Sequence, residues 1–289
     1  MQKEAWIHTM ASVILGAFCV LFRWLQNVNV FDEETGLATP HAVLSTLLAV
    51  SLLLAAAVLW YLNRRLRHCS ASTEPELALA DPPKGLNLVL SVAGLAAAAG
   101  GVLLFFTGED LFLKIAALLC LISVPALLLF PYLGHWGFLG AVLALCPVVS
   151  YSYWLVISYR SYAVDPVLWS YAPFMIALAA MLLATYRLAG YLYYRARPFR
   201  CVYACCLGAV CGLTVLMDSS TGAARLILGA WSVGLLAIAG LLILNMSPAA
   251  PQLEEENYNA YDPGWQEQDG EDAGDEDSWS YEDYKDNEE

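Results

Sequence analysis

The chain has 289 residues, 59% of them hydrophobic and 14% charged, with a formal net charge of −13. Residues 247–289 hold 16 of the 27 acids and one base, Lys285, a net of −15, while the other 246 residues carry 13 bases and 11 acids, a net of +2. An apolar body of nearly balanced charge with an acidic end has no basic patch, and nucleic acid is excluded as a partner.

A bilayer core of about 30 Å takes roughly 20 apolar residues in helical form. Stretches of about that length fall at 5–22, 42–62, 86–106, 112–133, 136–157, 167–190, 201–217 and 223–246. They lack the one-sided periodicity of a soluble bundle. The expected fold is an all-α integral membrane protein of about eight transmembrane helices over residues 1–246. Its surroundings are the lipid bilayer.

The first stretch follows Lys3 but runs out into Phe22-Arg23-Trp24 with no small-x-small cleavage pattern. It reads as a retained helix rather than a secretory signal. After the second stretch come Arg64, Arg65, Arg67 and Lys84, and after the sixth come Arg195, Arg197 and Arg200. With Lys3, these fall on one side of an eight-helix chain, which the positive-inside rule makes cytoplasmic. Both termini are then cytoplasmic. The opposite side holds Arg23, Lys114, Arg160 and Arg225, each at a helix edge, among Asp32, Glu33, Glu109, Asp165 and Asp218. Outer loops carry no unblocked N-x-S/T sequon, which agrees with a bacterial plasma membrane.

The third stretch carries Ala97, Gly100 and Gly101, and the seventh carries Gly208 and Gly212. Small residues four apart let helix backbones approach closely in lipid. The same two stretches align at an offset of 111, with Lys114 opposite Arg225. A parallel four-plus-four duplication, 1–133 and 134–246, would follow. The four outer bases would then form two matched pairs around a pseudo-axis. Such a ring at headgroup depth suits a phosphate or carboxylate, which the arginine fork binds in a bidentate way. The alternative is that each base reaches lipid phosphate or a nearby acid separately.

Proline enters the fourth stretch at Pro125 and Pro131, the fifth at Pro147 and the sixth at Pro173. Each removes a backbone donor and frees a carbonyl. With Ser150 and Tyr151, these breaks mark either a cavity for a solute or simple kinks. Arg187 is the deepest charge of the sixth stretch and lies within snorkelling reach of the cytoplasmic interface.

The acidic end, 247–289, has too little aliphatic content to offset chain entropy and is expected to be disordered. Tyr258, Tyr261 and Trp265, then Trp279, Tyr281 and Tyr284, interrupt it. Acidic charge with spaced aromatics suits a disordered ligand for a cytosolic protein with a basic surface.

The helix centres hold no Asp or Glu, the usual companion of a coupled carrier. No metal-ligand spacing, nucleotide loop or nucleophile motif is present, so neither a metal nor a cofactor is expected. Four of the eight cysteines, Cys201, Cys205, Cys206 and Cys211, fall in the seventh stretch and serve as small apolar residues. Three functions fit: a non-enzymatic accessory or scaffold protein, a permease or channel through the kinked helices, and an enzyme acting on a lipid headgroup. The first is favoured. The oligomeric state is not legible.

Overall fold

The computed structural model describes residues 2–29, 43–72, 74–80, 82–162, 168–195, 197–218 and 221–248. Residues 249–289, with the six aromatics of the acidic end, lie outside the described residues, as does the segment 30–42. In chain order the helices are α1 (Gln2–Asn29), α2 (Val43–Arg65), the short α3 (Pro75–Ala78), α4 (Lys84–Thr107), α5 (Leu111–Leu128), α6 (Phe138–Tyr162), α7 (Leu168–Leu192), α8 (Pro198–Thr214) and α9 (Gly222–Leu244). Eight of them, all but α3, are long and apolar enough to cross a membrane. The chain is a multi-pass membrane protein on that ground.

Two boundaries differ from the sequence reading for physical reasons. α1 continues to Asn29 rather than stopping near residue 22, because Arg23 and Gln26 are buried against protein partners. α5 ends at Leu128 and gives way to a 3₁₀ turn, Phe130–Trp136, with Pro131 at its start. Proline has no N–H to donate to the Leu127 carbonyl and its ring crowds the preceding turn, so Pro131 ends a span instead of kinking one. Pro125, Pro147 and Pro173 do lie inside α5, α6 and α7.

Helices α4 to α9 each pack against the next, and α9 returns to α4, so six helices close into a ring. α1 lies against α8 and α9, and α2 lies against α1 and α8. α8 and α9 are therefore the buried centre, with little lipid-facing surface. Small residues permit this. A Cβ on Gly212 would collide with Met181 of α7 and Ser232 of α9, and one on Gly100 would stand 3.1 Å from the Ala223 carbonyl of α9. The close approach inferred from these positions serves packing within one chain. The four cysteines of α8 are buried in that same centre.

α7 packs along α6 and α8, and α2 packs against α1 and α8.

One face of the bundle is tied together by short-range polar contacts. Cys69–Ser70 (β1) pairs antiparallel with Ser247–Pro248 (β2), with Cys69 opposite Pro248. The Asn245 amide at the end of α9 donates to the carbonyls of Ala78 at 2.7 Å and Ala80 at 2.9 Å. The Tyr191 hydroxyl of α7 donates to the Ser72 carbonyl. The ends of α2, α7 and α9 thus share a face, as alternating helices require. Asn245→Ala is expected to cost about 1–2 kcal/mol by leaving the buried Ala78 carbonyl unpaired. Limited proteolysis would then cut the 71–80 segment faster than in the parent.

Candidate functional site

The most developed polar assembly lies at the opposite face. Arg23, near the end of α1, is 2% exposed, and its Nε donates to Asp218 just beyond α8. Nη1 donates to Gln26 Oε1 at 2.7 Å, and Nη2 donates to the Ser170 carbonyl of α7 at 2.8 Å. Gln26 extends the network by donating to Ser45 Oγ of α2 at 2.8 Å. Beside it, Asn27 donates to the Met217 carbonyl at 2.6 Å. One guanidinium therefore links α1, α7 and the α8–α9 turn, and reaches α2 through Gln26. Burial pushes the Asp218 carboxyl above its ordinary value, although Arg23, Asn27 and Arg225 pull the other way.

Arg23 is accordingly not an outward-facing base, which corrects the sequence reading. Its planar fork is engaged inside the protein, where an anion would have to displace a carboxylate. The other three bases sit apart from it in character. Arg160 is exposed, with its guanidinium carbon 4.9 Å from the centre of the Phe112 ring of α5. Lys114 is half-buried on α5, two residues beyond Phe112. Arg225 is exposed and borders an apolar groove of about 650 Å³ between α4 and α9, lined by Leu88, Val92, Leu226 and Val233. Arg23 and Arg225 thus address Asp218 from α1 and α9, while Arg160 belongs to the α5–α6 side.

The sequence reading missed Gln26, Asn27, Ser45 and Ser170 as partners. A signal existed: Arg23, Gln26 and Asn27 recur at helical spacing at the end of an otherwise apolar stretch, and Asp218 is the one acid between residues 166 and 253.

The proline-bearing helices meet around aromatic rings. Tyr151 of α6 is 2% exposed, lies parallel to Trp154 at 6.5 Å and meets Trp231 of α9 edge-on at 5.7 Å. Trp154 meets Phe174 of α7 at 6.1 Å, and Phe174 meets Tyr162 at 6.5 Å. Ser150 Oγ lies 3.2 Å from Cys120 Sγ of α5, and Ser123 donates to the Cys120 carbonyl at 2.6 Å. Pro147 and Pro173 are buried on the same helices. Hence Ser150 and Tyr151 lie on the same helix as Pro147, Pro173 lies on the neighbouring α7, and bulky rings pack between those two helices. Among the described residues, the buried Tyr151 hydroxyl has no hydrogen-bond partner. Two Trp and a Phe were not singled out from sequence, because apolar aromatics in a span carry no marker of depth.

Set against known protein families, curated proteins and solved structures, the chain matches none of them.

Proposed function

We propose that this is a non-enzymatic accessory or scaffold protein of the bacterial plasma membrane, both termini cytoplasmic, whose acidic tail binds a cytosolic partner. The supporting observation is the filled centre of the proline-bearing helices. Tyr151, Trp154, Phe174 and Trp231 interlock where a solute path between α5, α6 and α7 would run. A buried ion pair that links α1 to α7 and the α8–α9 turn suits a rigid platform more than a rocking carrier. The tail supplies the recognition element, and its net charge of −15 calls for a basic surface on the partner.

Removal of residues 252–289 is expected to leave the melting temperature of the membrane domain unchanged, since almost no apolar surface is lost. The same truncation should abolish a partner contact that weakens with salt, because exposed charges are screened over about 8 Å at physiological ionic strength. Pull-downs with intact and truncated protein at two salt concentrations check this. An unchanged set of captured proteins would leave the tail as a solubilising segment and remove the scaffold reading.

A permease or channel reading takes its support from the unpartnered Tyr151 hydroxyl, which a solute or a water file would satisfy.

A further inference from the structure

The face tied together by Asn245 and Tyr191 also holds a cavity of about 670 Å³ at the end of α7, walled on one side by Leu145 of α6. Its polar lining is Arg187, Arg195 and Arg197 with Tyr186 and Tyr193. Local folding explains how three arginines converge. Tyr186, Gly190 and Tyr193 recur at i, i+4 and i+7, so they share a face of α7. The chain then reverses. Tyr194 takes a left-handed φ of 55°, and the Arg195 N–H donates back to the Gly190 carbonyl at 3.0 Å. This is the reversal that usually employs glycine at the left-handed position. A tyrosine there is disfavoured by its Cβ. The turn folds Arg195 and Arg197 back over the last turn of α7, toward Arg187. Arg187 itself lies five residues before the helix end, about 7.5 Å along the axis at 1.5 Å per residue.

Among the described residues, no carboxylate stands within ion-pair distance of Arg187, Arg195 or Arg197. Three cations around one cavity repel each other unless an anion joins them. The floor is open as well: a Cβ built on Gly190 meets no atom within 4 Å. Elsewhere on the same face, Arg64 and Arg65 lie over the rings of Trp60 and Tyr61 on their own helix. The cavity arginines therefore differ from the bases that merely mark sidedness.

We propose that this cavity is a binding site for a phosphate oxyanion at the headgroup level of the basic face, carried by an anionic phospholipid or free in solution. Guanidinium forks bind phosphate oxygens in pairs, and the two tyrosine hydroxyls add donors. Basic pockets between transmembrane helices on the cytoplasmic side suit phosphate-bearing headgroups.

The test uses the full chain in neutral detergent, with binding read from the shift in melting temperature and from lipid retained in native mass spectrometry. The probes are phosphatidylglycerol, phosphatidylcholine and inorganic phosphate. Phosphatidylglycerol should raise the melting temperature and phosphatidylcholine should not. Arg195→Gln with Arg197→Gln, both exposed and outside the helices' packed faces, should weaken the apparent affinity at least tenfold. Gly190→Leu keeps every charge and projects a bulky side chain from the open floor into the cavity, and it should weaken binding to a similar degree. Arg64→Gln with Arg65→Gln should leave binding within twofold of the parent. If inorganic phosphate shows this same pattern while phosphatidylglycerol has no effect, the ligand is the free anion. Binding unaffected by Gly190→Leu, or lost equally with the Arg64 and Arg65 changes, would reduce the effect to diffuse charge and overturn the site.

Discussion

Arg23→Met is expected to destabilise the folded protein by about 3–5 kcal/mol, the cost of leaving one partner of a buried ion pair alone. The Asp218 side chain is only 7% exposed, so water cannot replace the guanidinium. Two further groups lose a hydrogen bond from Arg23, Gln26 Oε1 and the Ser170 carbonyl. The double change, Arg23→Met with Asp218→Leu, should cost well under the sum of the singles, because it removes the isolated charge. The pH dependence has a definite sign. Burial already raises the Asp218 carboxyl from its ordinary value of 3.8, and Arg23 is among the groups holding it down. Without Arg23 the folded-state value climbs further above the unfolded one. The folded state then binds the proton more tightly, so the variant is least impaired below the unfolded value and loses stability as pH rises through the folded one. Thermal melts in detergent should show a gap to the parent that is wider at pH 8 than at pH 4.5. An equal gap at both would place the cost in lost packing rather than in the carboxylate.

The spans were legible because a bilayer imposes length and apolarity on each helix separately, and no tertiary information is needed to read them. Gly208, Gly212 and Ala97 were also legible as contact points, since lipid leaves close packing as the main attraction between helices. What was not legible was which way a side chain at a helix end points. Arg23 and Arg160 look alike in sequence, each closing an apolar stretch, yet one is buried against Asp218 and the other lies on Phe112. Only the neighbours decide that, and they come from residues 147 and 195 positions away. Pro131 shows the same limit at short range. Its apolar surroundings extend the span on paper, while its missing N–H ends the α-helix at Leu128. The α7–α8 turn reads in sequence as a marker of sidedness, and nothing in its composition announces that Tyr194 adopts a left-handed conformation and folds two arginines back.

Trp231→Ala is expected to cost about 3 kcal/mol, at the lower end of the range for emptying a large aromatic site. The lower end applies because lipid solvates an exposed indole face nearly as well as protein does, which leaves mainly the cavity and the lost ring contacts. Those contacts are specific: Trp231 is 3% exposed and meets Tyr151 edge-on. Tyr151→Phe should behave in the opposite way. It keeps the ring that stacks on Trp154 and removes a hydroxyl that has no partner among the described residues, so the melting temperature should hold or rise, by the equivalent of roughly 1 kcal/mol. The pair of outcomes separates the two functional readings. In a closed scaffold core the hydroxyl is a burden, and a single cysteine placed at Ser150 in a cysteine-less background stays unreactive toward a water-soluble maleimide. In a permease the hydroxyl faces water or solute. Tyr151→Phe then lowers stability or transport, and the cysteine at position 150 labels from one side of the membrane. Labelling at that position, together with a destabilised Tyr151→Phe, would replace the scaffold reading with a conduit through α5, α6 and α7.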